Sequence, residues 1–169
     1  MIYVCSLARI EETVSRTGAE WMLSLLSEGT MVTRPASIQE DRHLHIKMHD
    51  IAEAQEGMTL PAEEHVRSLI DFGHAWDQRK PLIVHCFAGI SRSTASAYII
   101  AAALAPERDE AELAATLRKL SPSATPNPRL IALADQMLGR ENRMVEAIRS
   151  IGRGADAYEG VPFGLAIDI

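Results

Sequence analysis

Residues 85–94 combine a cysteine, a glycine-bearing loop and an arginine within ten positions. A continuous apolar run precedes Cys86 and predicts a buried strand, and the apolar run after Arg92 predicts a helix. A strand, a tight loop and a helix in this order can turn successive backbone N–H groups toward one point, at the positive end of the helix. The stretch therefore predicts a loop that binds an anion.

The side chain of Arg92 suits phosphate in particular. A guanidinium group can donate two parallel, charge-assisted hydrogen bonds to phosphate oxygens. We therefore expect a phosphate to be held by Arg92 together with the loop residues Phe87, Ala88, Gly89, Ile90 and Ser91.

Cys86 stands where the predicted strand meets this loop. A helix N-terminus and a cationic neighbour both stabilise a thiolate, so we expect Cys86 to be largely ionised at neutral pH. A thiolate is the nucleophile that covalent phosphoryl transfer requires. A cysteine that ends a buried strand is otherwise a small core residue. The glycine, the arginine and the helix, all in register with the strand, favour the catalytic interpretation.

Strands and helices are predicted to alternate along the chain. Apolar or period-two patterns predict strands over residues 2–7, 21–26, 43–48 and 81–86, although residues 21–26 also fit a helical spacing. Helices are predicted over residues 8–17, from Pro61, over 91–104, over 109–120, and from Asn127 as one long helix or a pair divided at Gly139. The fold class is therefore α/β, with a mostly parallel central sheet that carries helices on both faces. Such sheets bind ligands at the carboxyl ends of their strands, where Cys86 stands.

The length of 169 residues, of which 47% are apolar, predicts one domain. No repeat or long linker divides the sequence, so we expect residues 1–169 to form a single domain with a helical C-terminal region. Residues 151–169 are expected to pack on it as an extension. That extension carries no recognisable motif, and it either packs beside the sheet or forms part of the pocket rim.

Charge and composition exclude several classes of function. The net charge of −6 disfavours nucleic acids and anionic membranes as partners. The apolar stretch 93–105 is shorter than the ~20 residues that span a bilayer, and the N-terminus has no secretory leader pattern. With only Cys5 and Cys86, no structural disulfide is expected. We therefore predict a soluble cytoplasmic protein that binds neither nucleic acid nor membrane.

Residues 85–94 resemble the signature of the protein tyrosine phosphatase superfamily, which is Cys, five residues, Arg, and then Ser or Thr. The fuller pattern His-Cys-x-x-Gly-x-Ser-Arg-Ser resembles the dual-specificity branch, of bacterial type. In the tyrosine-specific branch, Gly-Arg-Thr-Gly is more usual. Asp50, which follows a predicted strand, resembles the general-acid loop of the family. Ser121-Pro122 with Pro126-Asn127 resembles a segment ahead of the last helix.

This resemblance implies a phosphatase-like fold and a role for each matched residue. Cys86 would be the nucleophile, and Arg92 would clamp the phosphate and the transition state. Asp50 would donate a proton to the leaving oxygen and later act as the base for water. Ser93 would support the departing thiolate, and His85 would brace the loop through hydrogen bonds. The resemblance implies no metal and no other cofactor.

Two of these roles have competitors in the sequence. An acid in a loop can equally be an ordinary solvated side chain, and Asp41, Glu53 and Glu56 compete with Asp50 for the proton-donor role. Ser93 could instead satisfy a backbone group at the start of a helix.

Three other groups of residues favour structural roles. His43, His45 and His49 could suggest a metal, but no second ligand cluster accompanies them, so an exposed polar strand face is expected. Cys5 is expected to be a core thiol rather than a redox partner of Cys86. A solvated charged face is expected for the late arginines, which are Arg140, Arg143, Arg149 and Arg153.

The predicted activity is that of a cysteine-dependent protein phosphatase acting on phosphotyrosine, with phosphoserine and phosphothreonine as further candidates. Phe87, Ala88 and Ile90 occupy positions where phosphoinositide-selective relatives tend to carry lysines, which disfavours a polyphosphorylated inositol head. Two alternatives remain: a phosphatase for a small, non-protein phosphate ester, or an inactive module that only recognises phosphate. The second is disfavoured because a binding module needs no nucleophile.

Overall fold

A computed structural model describes residues 1–168, which contain one five-stranded sheet. The strands are β1 (Ile2–Ser6), β2 (Trp21–Leu26), β3 (His43–Lys47), β4 (Leu82–Cys86) and β5 (Phe163–Leu165). Their order in the sheet is β3-β2-β4-β1-β5, and only β5 runs antiparallel to its neighbour. The predicted α/β fold with a mostly parallel sheet is confirmed.

Helices cover both faces of this sheet. They are α1 (Ile10–Thr17), α2 (Glu63–Ala75), α3 (Arg92–Leu104), α4 (Glu110–Leu120), α5 (Pro128–Met137) and α6 (Arg143–Ile151), with short 3-10 helices at Leu7–Arg9 and Glu40–Arg42. One face packs on α1 through a small core that includes Cys5, Met22 and Ile83. The larger core lies on the opposite face and joins the sheet to the other five helices. No helix within residues 1–168 has both the length and the apolar character needed to cross a membrane.

Helix boundaries mostly follow the predicted local signals. Gly18 ends α1 in the left-handed conformation, with φ of 67°. Side-chain oxygens of Asp109 and Asn127 accept hydrogen bonds from the first N–H groups of α4 and α5. The last helical region is a pair, as one of the two alternatives proposed, and Gly139 lies in the turn between α5 and α6.

Two elements differ from the sequence prediction. Helix α2 begins at Glu63 rather than at Pro61, because Ala62 still has an extended backbone. Strand β5 was not predicted, because three residues are too few to display an alternating pattern. Its pairing with β1 places residues 163–165 at the edge of the sheet.

Helix α3 is the central helix of the larger core, and it fixes where the residues after Cys86 must go. Its side chains are buried from Arg92 to Ala102. Small residues allow close packing, and an added methyl group at Gly73 of α2 would lie only 3.0 Å from the side chain of Ile100. The helix therefore has little freedom to shift, and its N-terminus is held against the carboxyl end of β4.

One of the late arginines contradicts the expectation of a solvated face. Arg140 is buried, and its guanidinium lies 3.1 Å from the carboxylate of Glu110. It also donates hydrogen bonds to the carbonyls of Pro106 and Ala102, near the carboxyl end of α3. The break between α5 and α6 turns Arg140 inward, toward carbonyl groups that otherwise lack intrahelical partners.

A chain of polar side chains crosses the sheet beneath the loop that follows Cys86. The Nε2 atom of His85 lies 2.6 Å from the hydroxyl of Ser24, and that hydroxyl lies 2.8 Å from Nε2 of His43. The other ring nitrogen of His85 lies 3.2 Å from the carbonyl oxygen of Cys86. One tautomeric arrangement satisfies the whole chain, in which His43 donates to Ser24, Ser24 donates to His85, and His85 donates to Cys86.

Burial keeps both histidines of this chain uncharged. Desolvation lowers the pKa of His85 to about 4, although its hydrogen bond to the Cys86 carbonyl opposes the shift. The pKa of His43 is lowered to about 4 as well, first by burial and then by the nearby charges of His45 and Arg34. The predicted exposed histidine face is wrong, because His43, His45 and His49 are all partly buried, and His43 lies against Ser24.

Folding stability should therefore fall in mild acid. Histidines in the unfolded chain take up protons near pH 6.5, whereas His85 and His43 resist protonation in the folded protein. Their stabilising effect is fully present above about pH 6.5 and is lost as the pH falls toward 4. His85 alone accounts for about 1–3 kcal/mol at the lower limit. Urea unfolding between pH 7 and pH 5, where few carboxyl groups titrate, measures the slope of the unfolding free energy against pH.

Two histidine-to-glutamine variants test whether His43 contributes to this dependence on pH. His43→Gln should flatten the dependence of the unfolding free energy on pH, because one suppressed titration is removed. His74→Gln changes an exposed histidine on α2 and should leave the slope as in the wild type. Equal slopes in the wild type and in both variants would contradict the assignment of part of the slope to His43.

Candidate active site

The predicted anion-binding loop lies at the carboxyl edge of the sheet, between the end of β4 and the start of α3. Cys86 is the last residue of β4, and Arg92 is the first residue of α3. The N-terminus of α3, with its partial positive charge, therefore faces the region where β4 ends. The cysteine and the arginine therefore flank the same loop.

Donors surround the sulfur of Cys86. The N–H group of Gly89 donates to Sγ over 3.3 Å, and the hydroxyl oxygen of Ser93 lies 3.1 Å from it. Hydrogen bonds to a sulfur atom stabilise its negatively charged form. The contact also gives Ser93 a direct partner in the site, rather than the backbone-capping role that was the alternative.

Gly89 is required by the shape of the loop. Its φ of 73° is left-handed, which strains any residue with a side chain. An added methyl group would also lie 2.8 Å from the backbone of both Cys5 and Ser6 in β1. The loop therefore packs directly on the neighbouring strand.

Three of the loop carbonyls accept hydrogen bonds from N–H groups outside the loop. The pairs are Leu7 N–H to Phe87 O at 3.1 Å, Gly160 N–H to Ala88 O at 2.8 Å, and Thr125 N–H to Ile90 O at 2.9 Å. In a trans peptide, the carbonyl and the following N–H point in opposite directions. Outward carbonyls therefore direct the next N–H groups toward Cys86.

Most N–H groups of the loop remain available for a ligand. Within residues 1–168, no protein acceptor is found for the N–H groups of Phe87, Ala88, Ile90 or Ser91. Backbone donors that converge at a helix N-terminus form a ready anion site.

Arg92 is held by one of its terminal nitrogens. Its Nη1 atom donates to the carbonyl of Met48 at 2.8 Å and to the hydroxyl of Ser27 at 3.1 Å. The side chain is buried, yet Nε has no partner within the described residues. A buried donor without a partner costs about 1–3 kcal/mol. The edge formed by Nε and Nη2 is thus suited to an acceptor that offers two oxygens, such as a phosphate.

Asp50 lies against the loop, although it is far from it in sequence. Its Oδ1 atom accepts hydrogen bonds from the hydroxyl of Ser91 at 2.7 Å and from the side-chain amide of Asn127 at 2.9 Å. No partner is found for Oδ2 within residues 1–168, so this oxygen is free to contact a ligand. Asn127 also bonds the carbonyl of Ile51 and thus fixes the segment that holds Asp50.

The competing acids are less well placed. Asp41 precedes β3, and because β3 and β4 point in the same direction, it lies at the edge of the sheet opposite Cys86. Glu53 and Glu56 are exposed and make no hydrogen bond to the loop. Of the four candidates, Asp50 alone contacts the loop.

His85 and Cys5 lie beneath the loop rather than in it. His85 is fully buried and reaches the loop only through the Cys86 carbonyl. Burial raises the pKa of the Cys5 thiol to about 12, so Cys5 remains a neutral thiol at physiological pH. It packs with Ile10 and Met22 in the smaller core, as expected of a core cysteine.

The histidines of β3 lie side by side. The rings of His43 and His45 are parallel, with their centroids 6.4 Å apart, but no group of three potential ligands occurs among residues 1–168.

Sequence reasoning missed three contributors to the site. Ser27 and the carbonyl of Met48 orient Arg92, and Gly160 binds the loop from the C-terminal extension. None of them belongs to a recognisable pattern, because each acts through a short polar or backbone contact formed only on folding. The sequence predicts Asn127 as the start of a helix and as part of a segment that resembles a known family, but gives it no role at the loop.

Comparison with protein-family models and with curated proteins finds no match for this chain. Solved structures do resemble it. DUSP15 aligns with a TM-score of 0.63 and 19% identity, covering 89% of each chain. PTP-2 phosphatase from Cydia pomonella aligns with a TM-score of 0.62 and 18% identity, covering 80% of this chain and 84% of the other.

PTPMT1 in complex with PI(5)P also aligns, with a TM-score of 0.63 and 11% identity, covering 83% of this chain and 91% of the other. Identities this low establish similarity of fold and nothing finer. The chain therefore has the fold of the dual-specificity and tyrosine phosphatase structures.

Proposed function

We propose that this protein is a cysteine-dependent phosphatase that hydrolyses phosphate monoesters through a phosphocysteine intermediate on Cys86. The observation that carries the proposal is the state of Arg92, whose Nη1 is anchored while its buried Nε lacks a partner within residues 1–168. That free edge belongs to the same loop as the N–H groups that have no protein acceptor. A phosphate would satisfy both sets of donors at once.

In the first step, the Cys86 thiolate attacks phosphorus, and the bond between phosphorus and the ester oxygen breaks. Negative charge grows on the equatorial oxygens, where Arg92 and the loop N–H groups stabilise it. Asp50 transfers its proton to the leaving oxygen, so the alcohol or phenol departs neutral. Contacts of Asp50 with Ser91 and Asn127 support this role, because they hold the carboxyl group at the loop.

In the second step, a water molecule attacks the phosphocysteine. The Asp50 carboxylate accepts a proton from this water, and the bond between phosphorus and sulfur breaks. Inorganic phosphate and the Cys86 thiolate result. The Ser93 hydroxyl, 3.1 Å from Sγ, can donate to the departing thiolate, while His85 braces the loop from below.

We propose phosphotyrosine as the preferred substrate. The exposed ring of Phe87 lies in the loop itself and offers an apolar contact to an aromatic leaving group. The loop carries no lysine for the additional phosphates of an inositol head, although one solved structure of this fold contains PI(5)P. Phosphoserine and phosphothreonine are secondary candidates. Since the thiolate must stay reduced, a reducing compartment such as the cytoplasm suits this chemistry.

A substrate panel tests the proposal. The wild-type protein should hydrolyse phosphotyrosine peptides with a higher kcat/KM than matched phosphoserine peptides, phosphoinositides or mononucleotides. Cys86→Ser should show no turnover in the same assays and should still bind inorganic vanadate, because the N–H groups and Arg92 remain. Turnover by the serine variant, or preference for a phosphoinositide, would contradict the mechanism or the substrate respectively.

The variant Arg92→Lys tests whether the planar shape of the guanidinium matters in addition to its charge. Lysine retains the positive charge but lacks the planar pair of donors, so kcat/KM and vanadate affinity should each fall by roughly 10²–10³. Steady-state kinetics and calorimetry measure the two losses. Arg149→Lys, at an exposed site on α6, is the matched control and should behave as the wild type. Near-normal kinetics for Arg92→Lys would show that the guanidinium does not contact phosphate.

Asp50→Asn should lower the rate of hydrolysis by an amount that depends on the leaving group of the substrate. For phosphotyrosine and alkyl phosphates, the rate should fall by ~10²–10⁴, the usual contribution of a positioned general acid. Very acidic phenols depart as stable anions without a proton. The rate for their aryl phosphates should therefore fall much less. Rates across a series of aryl phosphates measure this trend, with Glu53→Gln as control. A uniform loss across the series would remove Asp50 from the proton-donor role.

A further inference from the structure

The C-terminal residues 152–168, which we call the strap, are attached on both sides of the loop that follows Cys86. At one side, the N–H groups of Gly154 and Ala155 bond the Thr125 hydroxyl at 3.1 Å and the Pro122 carbonyl at 2.9 Å. At the other side, β5 pairs with β1, and Arg108 bonds carbonyls near the end of the chain. Between these attachments, the strap passes over the loop.

The contact between strap and loop is made by Gly160. Its N–H group donates to the carbonyl of Ala88 over 2.8 Å. An added methyl group on Gly160 would lie 2.6 Å from the carbonyl oxygen of Gly89. Such a distance is far below van der Waals contact, so any side chain at position 160 would force the strap and the loop apart.

This contact acts on the peptide group that faces the cysteine. The Ala88 carbonyl and the Gly89 N–H belong to the same planar peptide unit and point in opposite directions. Gly160 holds the carbonyl outward, and the N–H on the other side donates to Sγ of Cys86 over 3.3 Å. If the unit rotated, a carbonyl dipole would face the sulfur and any bound anion, and one donor would be lost.

We propose that Gly160 is a positioning residue for the phosphate-binding loop, so that the strap is a working part of the active site. This inference rests on the function proposed above. The strap also contributes Arg153, Ala155 and Ala157 to a pocket of about 250 Å³ that includes Asp50 and Ser91. Its path therefore runs along the side of the site where the leaving group would lie.

Substitution of Gly160 tests the proposal directly. Gly160→Ala should reduce both kcat/KM and the affinity for inorganic vanadate by about 10–100-fold, the effect of losing one buried donor to an anion. Gly160→Val should reduce both further. Gly164→Ala is the matched control in the same strap, because its added methyl group would meet the ring of Tyr3 instead of the loop. It should keep normal vanadate affinity even where its Tm falls as far as that of Gly160→Ala.

Hydrogen exchange in the wild-type protein provides a test that needs no substitution. If the strap stabilises the anion-binding conformation, an anion must stabilise the strap by the same factor. Saturating vanadate should therefore slow exchange of the Gly160 amide, while the Gly18 amide, which is bonded within α1, should be unaffected. Nuclear magnetic resonance measures both rates.

The outcomes separate this inference from the phosphatase proposal. A wild-type protein that neither binds vanadate nor hydrolyses phosphate esters would overturn the proposed function. A wild-type protein that does both, with unchanged Gly160 exchange and vanadate affinity unaffected by Gly160→Ala, would overturn only the role of Gly160.

Discussion

The outward orientation of the carbonyls between Cys86 and Arg92 is the constraint on which the rest of the site depends. A loop can offer convergent N–H groups only if its carbonyls find donors elsewhere. Here those donors come from three separate parts of the chain, namely the residue after β1, the segment before α5, and the strap. The proposed anion site is therefore a product of the whole fold, although its residues are contiguous in sequence.

The packing beneath the loop also helps to fix the conformation of the loop. Helix α3 is locked in the larger core, which fixes the start of the helix that carries Arg92. On the other face, the chain of His43, Ser24 and His85 ties three strands together and ends on the Cys86 carbonyl. Uncharged histidines are essential there, because a buried charge would need a compensating partner.

Local chemistry could be predicted from sequence, and contacts formed only on folding could not. Cys86, Gly89 and Arg92 lie within one strand, loop and helix, so their spacing alone indicated an anion site. The partners of Arg92 are 65 and 44 residues away, and nothing in their sequence context marks Ser27 or Met48. Burial of Arg140 and the pairing of β5 likewise depend on which segments meet after folding.

The hydrogen bonds that join Asp50 to Ser91 and Asn127 bear on the timing of the proposed reaction. Many enzymes carry an acid on a loop that must close over the substrate, and that motion, on the microsecond to millisecond scale, then limits turnover. Here the acid is already fastened to the loop that would grip the phosphate. If the phosphatase proposed above uses Asp50 as its acid, proton transfer would need no closure, and turnover would be governed by bond breaking rather than by the movement of a lid.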